Sequence, residues 1–258
     1  MLMEFGGNSL FDLSQATLMP PANPEPETTA LLARMAVQPS LGRYIKIDNL
    51  IKQLKAQGIW SLLDCFQMYW AETQQQALLN WIGDNRNATA NGPVIFTANS
   101  GLATDYLTQG WIDTGYDPSL GTNYVQDSAM FGAWSNIDRS GMTVGMESNV
   151  RVRLSARSGG SCSYAVNSSA AQTASTLTAV GLTVAQRTGA SAVRVYRDGA
   201  QLGVSGGASE AIPSATLYIG RASGPVYQST NTGLFLAGAP LSAGQHTALY
   251  NAIVAYRS

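Results

Sequence analysis

Beyond residue 84 the sequence is divided into short runs of β-branched and aromatic residues, separated by glycine, asparagine, aspartate, serine and proline. Runs of this length and spacing are typical of an antiparallel two-sheet sandwich or jelly roll. With 258 residues, 45% apolar and only 12% charged, the chain can bury a sizeable core and carries too little charge to stay unfolded. The predicted strands are 94–98, 110–114, 129–135, 142–147, 150–156, 163–166, 177–184, 192–197, 201–204, 215–219 and 233–237.

Two local signals support this mainly β interpretation. Asp198 and Gly199 lie between two short apolar-polar alternations, and this pair favours a two-residue hairpin because both positions require a positive φ. Ser242 and Gln245 have the spacing of a capping box, so the amphipathic segment 242–257 is predicted to form a helix that closes the domain.

The residues before the β region have a helical composition. One helix is predicted over 27–35, and a second begins after the capping residue Ser40 and ends at Gly58. The aromatic segment 65–70 is predicted to be a strand, whereas 72–82 returns to a helical composition. We therefore expect a small helical region ahead of the sandwich.

The chain begins with a segment that has no core of its own. It combines large apolar residues with prolines and glycines, which prevent a long helix. We expect this segment to be an assembly arm, buried either on its own domain or against a partner chain. The apolar residues that would dock are Phe5, Leu10, Phe11 and Leu13. The predicted organisation is an N-terminal arm over 1–25, a helical region over 26–83 and a jelly-roll domain over 84–258.

The charge distribution excludes some partners. Residues 1–150 contain 7 basic and 14 acidic side chains, and residues 151–258 contain 8 and 2, which sums to the net charge of −1. This balance gives no basic footprint for nucleic acid. No apolar run approaches the ~20 residues of a membrane span, and Glu4 stands where a secretion signal would carry a basic residue. Lysine is absent after Lys55, so sheet edges must be protected by closure, by loops or by assembly.

The chain has few residues suited to catalysis. His246 is the only histidine, which excludes histidine-based metal sites and leaves one imidazole for any serine-type mechanism. Glu147 and Glu210 stand alone rather than as the pair that glycoside hydrolysis needs. Cys65 and Cys162 are predicted to be buried free thiols. We therefore predict a non-enzymatic protein with no catalytic residue, no cofactor and no metal.

A loop could still bring oxygen ligands together for calcium, although aspartate and asparagine are also common in turns for conformational reasons. The residues concerned are Asp113, Asp117, Asn123 and Asp127.

A binding surface is harder to exclude, because aromatic side chains can provide flat faces on which sugar rings stack. Trp111 belongs to this aromatic set, whereas Trp134 alternates like a core strand residue and is interpreted as structural. Arginine and asparagine could supply hydrogen bonds to sugar hydroxyls. The predicted glycan-binding candidates are Tyr116, Tyr124, Arg221, Tyr227 and Asn231.

Several segments, taken in order, resemble a family of structural proteins from tailed bacteriophages and gene transfer agents. The resemblance covers the chain except its first 25 residues or so. It implies a concanavalin A-like (laminin G-like) jelly roll in a spike, fibre or tail-tip component. The segments are 28–59 (TTALLARMAVQPSLGRYIKIDNLIKQLKAQGI), 60–64 (WSLLD), 96–97 (FT), 111–118 (WIDTGYDP), 131–135 (FGAWS), 195–199 (VYRDG), 217–220 (LYIG) and 243–256.

The resemblance implies a virion protein made in the bacterial host cytoplasm. Its partners would be other capsid or tail proteins and a host cell-surface polysaccharide, and it would assemble as a homo-oligomer, with a trimer as the first guess. The expected function is therefore host recognition without catalysis. One alternative is a purely architectural decoration or connector subunit, and another is a depolymerase that cleaves capsule.

Overall fold

The computed structural model describes residues 19–146, 148–222 and 226–258, which form three layers: helices, a first β-sheet (sheet A) and a second β-sheet (sheet B). The helices are α1 (Pro26–Ala33), α2 (Leu41–Ala56), α3 (Gln74–Ala77) and α4 (Ala243–Arg257). The strands are β1 (Leu63–Met68), β2 (Thr89–Asn91), β3 (Ile95–Thr97), β4 (Gly101–Thr104), β5 (Trp111–Asp113), β6 (Ala129–Ser135), β7 (Val144–Met146), β8 (Arg151–Ser158), β9 (Ser161–Ser168), β10 (Gln172–Ser175), β11 (Gly181–Arg187), β12 (Val193–Arg197), β13 (Ala200–Ser205), β14 (Tyr218–Ile219) and β15 (Thr230–Gly238).

Both sheets are antiparallel. Sheet A has the order β13-β12-β11-β6-β15-β4-β3, and β1 also pairs with β15. Sheet B has the order β10-β9-β8-β7-β14-β5-β2. The chain is thus mainly β, with a short helical region before the sandwich and a helix after it, and the predicted fold class is confirmed.

Two apolar cores hold the layers together. The core between the sheets contains Phe131 and Phe235 from sheet A and Leu154 and Ile219 from sheet B. The second core lies between the outer face of sheet A and the helices, where Trp134 packs with Leu50 of α2 and Leu249 of α4. Sheet A is therefore covered on both faces, with α1, α2 and α4 packed against its outer face.

The local signals of the sequence are borne out. Asp198 and Gly199 have φ values of 52° and 82° at the tip of the β12–β13 hairpin. The Ser40 side chain accepts a hydrogen bond from the backbone N–H of Arg43 and caps α2. Ser242 and Gln245 form the predicted capping box of α4. These features depend only on neighbouring residues, which is why the sequence predicts them well.

Other predicted elements are wrong. Over 72–82 only the single turn α3 is helical, because Asn80 instead bridges to Gln67 on β1 and the N–H of Trp81 donates to the carbonyl of Phe66. The strand predicted over 177–184 begins later, at Gly181. The sequence also missed β2, β4 and β10.

The strand predicted over 65–70 exists as β1, and its pairing with β15 makes it a strand of sheet A. The sandwich therefore includes residues from the 26–83 region. The predicted arm residues Phe5, Leu10, Phe11 and Leu13, and also Glu147, lie outside the described residues. Among the residues that the structure describes, no helix has the length and hydropathy needed to cross a membrane.

Candidate functional site

The outer face of sheet B carries an aromatic cluster beside an arginine. On β5 and β14 the buried residues Ile112 and Ile219 pair with each other and point into the core. Because strand side chains alternate, Trp111 and Tyr218 point outward. Their rings meet edge to face, with centroids 4.8 Å apart and planes at 80°.

Arg221 lies at the centre of this cluster. Its guanidinium carbon is 4.6 Å from the ring centroid of Trp111, 5.5 Å from that of Tyr218 and 5.9 Å from that of Tyr227. These distances are in the range of cation–π attraction, which holds the guanidinium over the rings. We call these four residues, Trp111, Tyr218, Arg221 and Tyr227, the platform; all four are half-buried and keep part of their surface in solvent.

A glycine positions the arginine. Gly220 has a φ of 76°, and a Cβ at this position would lie 2.3 Å from Oγ1 of Thr104. Arg221 follows this glycine and pairs with Tyr227 across an isolated bridge. The N–H of Gln228 donates to the carbonyl of Gly220 at 2.9 Å, and Thr104 Oγ1 donates to the carbonyl of Gln228 at 2.8 Å. These hydrogen bonds fix the backbone next to Arg221 and Tyr227.

Exposed apolar residues lie in the loops on either side of the platform. Tyr106 and Leu107, between β4 and β5, are 53% and 71% exposed, and Val226 is 52% exposed. The two loops are joined because Ser229 Oγ donates to Asp105 Oδ1 at 3.1 Å and accepts from the N–H of Tyr106 at 3.3 Å.

Two of the predicted glycan-binding residues are not available to a ligand. Tyr116 and Tyr124 are 0% and 1% exposed. The Tyr116 hydroxyl donates to Asp64 Oδ2 at 3.1 Å, and the Tyr124 hydroxyl donates to Asn167 Oδ1 at 2.8 Å. Burial raises the pKa of both phenols, and Asp64 adds to this effect at Tyr116. The prediction that they stack on sugars is wrong, because both rings belong to the core between the sheets.

The other candidates divide between two places. Arg221 and Tyr227 are brought together in the platform, whereas Asn231 lies on β15 in sheet A and accepts a hydrogen bond from Asn136 Nδ2 at 2.8 Å. Trp134 of β6 is buried in the core between sheet A and the helices, as predicted. The sequence missed Tyr218 as a site residue, although the buried neighbours Leu217 and Ile219 predict its outward direction.

Three of the four residues considered for calcium form hydrogen bonds within the protein. Asp113 Oδ1 accepts from the N–H of Gly115, Asp117 Oδ1 accepts from the N–H of Ser119, and Asn123 Nδ2 donates to the carbonyl of Ser61. Within the described ranges, no three histidine, cysteine, aspartate or glutamate side chains are grouped to hold a metal ion.

The single histidine and the two thiols lie in the interior. His246 is 1% exposed, and burial lowers its pKa to about 4. Cys65 and Cys162 are free and buried, as predicted, and burial raises the pKa of Cys162 to about 11. None of these groups lies in the platform.

Comparison with known proteins supports the fold. No protein-family model and no curated protein matches this chain. Among solved structures, domain 4 of AbnA, an extracellular arabinanase from Geobacillus stearothermophilus, in complex with arabinotriose, is similar at 16% identity and a TM-score of 0.50, with 72% of this chain and 97% of that chain covered.

Two further solved structures are similar over part of their own length. The binding domain of botulinum neurotoxin serotype D has 10% identity, a TM-score of 0.54 and coverage of 75% of this chain and 52% of that chain. A mutant Trypanosoma rangeli sialidase displaying trans-sialidase activity has 15% identity, a TM-score of 0.51 and coverage of 81% and 39%.

At these identities the likeness shows the fold alone. The jelly-roll sandwich implied by the sequence resemblance is thus supported by solved structures. The tailed-bacteriophage family stays a prediction, because no family model matches.

Proposed function

We propose that this protein binds a polysaccharide on the outer face of sheet B and does not cleave it. The observation that carries the proposal is the platform, in which Arg221 lies 4.6 Å from the ring of Trp111 and Trp111 meets Tyr218 edge to face. Aromatic rings offer apolar surface to the C–H faces of sugars, and a guanidinium offers several hydrogen-bond donors to their oxygens. The arabinanase domain, which shares the fold, is described in complex with arabinotriose, and this supports the ligand class.

The absence of cleavage is part of the proposal. Hydrolysis of a glycosidic bond needs two carboxyl groups on either side of that bond. Both carboxylate oxygens of Asp113 on β5 accept hydrogen bonds within the protein: Oδ1 from the N–H of Gly115 at 2.8 Å, and Oδ2 from the Thr216 hydroxyl at 3.2 Å. Reducing ends released from a bound polysaccharide would contradict this part of the proposal and favour the depolymerase alternative.

The biological setting of the proposal comes from the sequence resemblance. The protein would be a spike, fibre or tail-tip subunit that attaches to the particle through its N-terminal region and presents sheet B to the host. Many copies on one particle would raise the avidity of a weak site by ~10² to 10⁴. An architectural subunit remains the alternative, and it predicts no difference in binding between cells with and without their surface polysaccharide.

The test is a binding assay on a panel of immobilised polysaccharides, with the wild-type chain, Trp111→Ala and Tyr218→Ala. Truncating an aromatic anchor at a binding site removes about 2 kcal/mol, so each variant should bind about 30-fold more weakly. Tyr44→Ala is the matched control, because Tyr44 lies on α2 and the helices cover the opposite side of the sandwich. It should leave the affinity unchanged.

Circular dichroism and thermal unfolding would establish that each variant is folded. Wild-type protein that binds none of the panel, or platform variants that bind like wild type, would contradict the proposal.

A further inference from the structure

Asn91 is the only asparagine of the sequence that is followed by a glycine. It is the last residue of β2, the terminal strand of sheet B, and Gly92 begins the connection to β3. The side-chain amide carbon of an asparagine can be attacked by the backbone nitrogen of the next residue. A glycine at that next position favours the reaction, because it has no Cβ and allows a close approach to its backbone. The pair best suited to this chemistry therefore lies at an edge of the sandwich.

The local structure leaves both reacting groups accessible. Asn91 is half-buried and Gly92 is exposed. Among the hydrogen bonds of the described residues, the Asn91 side chain makes a single one, in which Nδ2 donates to the carbonyl of Thr89 at 3.1 Å, and none involves the N–H of Gly92. The amide can therefore rotate towards a backbone nitrogen that no described group holds.

Asn99, between β3 and β4, has the opposite arrangement. It is exposed like Gly92 and precedes another small residue, Ser100. Its Oδ1 accepts from Arg43 Nη2 at 2.6 Å, and the N–H of Ser100 donates to the carbonyl of Thr97 at 2.9 Å. Both groups that would react are thus held by hydrogen bonds, and Asn99 provides a control within the same chain.

Asn91 is also a neighbour of the platform. In the register of β2 and β5, Asn91 is opposite Trp111 and Ala90 is opposite Ile112. Ile112 belongs to the core between the sheets, so Asn91 and Trp111 share the outer face of sheet B. Side chains directly opposite each other on one face have Cβ atoms about 5 Å apart. A chemical change at Asn91 therefore affects the strand pair that positions Trp111.

We propose that Asn91 is a site of spontaneous deamidation that alters the platform. The backbone nitrogen of Gly92 loses its proton to hydroxide and forms a bond to Cγ of Asn91. The Cγ–Nδ2 bond breaks, and the amide nitrogen takes up a proton from water and leaves as ammonia. Water then adds to one of the two carbonyl carbons of the resulting succinimide, and the bond from that carbon to the ring nitrogen breaks as the nitrogen regains a proton.

The two products change the edge of sheet B in different ways. Addition of water at Cγ gives aspartate, which places a negative charge opposite Trp111. Addition at the backbone carbonyl carbon gives isoaspartate, in which the main chain runs through Cβ and gains one carbon. Because β2 pairs with β5 through only three residues, this extra carbon disrupts one of the three pairs. The modification itself needs only Asn91 and Gly92, whereas its effect on ligand binding rests on the proposed function.

The test is prolonged incubation of the full chain in mildly alkaline buffer, followed by mass spectrometry of its peptides. Asn91 should change from an amide to a carboxyl group, and in water enriched in heavy oxygen the product should carry the heavy isotope, while Asn99 stays unchanged. Asn91→Gln is the matched variant, because glutamine keeps the amide but would have to close a larger ring, and position 91 should then stay unmodified.

A synthetic peptide of residues 87–97 provides the unfolded reference for the same incubation. An unmodified Asn91 in the folded chain, at a time when the peptide has reacted, would overturn the proposal. Equal reaction at Asn91 and Asn99 would overturn it as well, since the hydrogen bonds around Asn99 would then have no influence.

Hydrogen exchange and binding test the effect on the platform. In the isoaspartate fraction, backbone amides of residues 109–113 should exchange faster than in unmodified chain, while those of β8 exchange at the same rate. On the polysaccharide panel this fraction should bind severalfold more weakly, towards the affinity of Trp111→Ala, whereas incubated Asn91→Gln keeps its own starting affinity. Deamidation without faster exchange would overturn the effect on the platform. If wild-type protein binds no polysaccharide, the proposed function fails, and mass spectrometry and hydrogen exchange still decide this inference.

Discussion

The buried histidine makes the stability of this fold depend on pH in a way that can be calculated. His246 of α4 stacks on Tyr196 of β12, with ring centroids 3.6 Å apart, and its Nε2 is 2.8 Å from Gln186 Oε1. The Gln186 amide is oriented by the backbone of Leu241, to whose carbonyl it donates and from whose N–H its Oε1 accepts. Nε2 of His246 therefore carries a hydrogen, which it donates to Gln186 Oε1.

Burial lowers the pKa of His246 from 6.5 to about 4. The unfolded chain thus binds a proton as the pH falls below 6.5, whereas the folded chain does not until the pH approaches 4. Stability is fully present above pH 6.5 and is lost as the pH falls. At 1.36 kcal/mol for each pKa unit the whole effect is about 3 kcal/mol, of which about 2 kcal/mol is lost between about pH 7.5 and about pH 5.

The assay is urea unfolding of the wild-type chain and of His246→Gln at both pH values. Glutamine at position 246 can still donate a hydrogen bond to Gln186 but does not titrate. Subtracting the pH-dependent loss of stability of the variant from that of the wild-type chain therefore cancels the contribution of every other titratable group, including Asp198, whose pKa burial raises. Because His246 is the only histidine, no second imidazole confuses the comparison. The same loss of stability in both chains on acidification would refute the reasoning.

Two further substitutions test the buried polar groups that fix the loops. Asp64→Ala should lower the free energy of unfolding by about 4 kcal/mol, because the Asp64 carboxylate accepts hydrogen bonds from the N–H groups of residues 122–124 and from the Tyr116 hydroxyl. A loss below about 1 kcal/mol in urea unfolding would contradict this, since it would show that water can replace the carboxylate. Arg187→Lys should lower the free energy of unfolding by about 2 kcal/mol. The buried Arg187 guanidinium donates to the carbonyls of residues 189, 190, 207 and 208, and a single lysine ammonium cannot reach all of them. An unchanged melting temperature would contradict this account.

The fold class could be predicted because its signals are local. The hairpin at Asp198 and Gly199 needs only two residues that accept positive φ, and the cap of α4 needs only Ser242 and Gln245. Strands that depend on their partners were harder to predict. The strand β10 (Gln172–Ser175) has no apolar alternation of its own and is defined by its pairing with β9.

The helical composition of 72–82 was overridden by tertiary contacts. The side chain of Asn80 accepts from the N–H of Phe66, and the N–H of Trp81 donates to the Phe66 carbonyl, so this segment follows the edge of β1 instead of forming a helix. Propensity is a weak guide where buried backbone groups of a neighbouring strand need partners.

The candidate site was predicted in part. Arg221 and the loop residue Tyr227 were both predicted as glycan-binding candidates, and the structure brings them together. Tyr116 and Tyr124 have the same loop-like sequence surroundings, yet both are buried, because Asp64 draws the backbone of residues 122–124 inward. No pattern in the sequence links Asp64 to a loop about 60 residues away, since that contact exists only in the folded chain.

The central claim, that sheet B is the binding face, is tested most directly by the crystal structure of the full chain with the oligosaccharide that binds best in the panel. Our account predicts a sugar ring in van der Waals contact, within about 4 Å, of Trp111 or Tyr218 on the outer face of the sheet. A sugar bound among the helices beyond sheet A, with the platform unoccupied at saturating ligand, would contradict it.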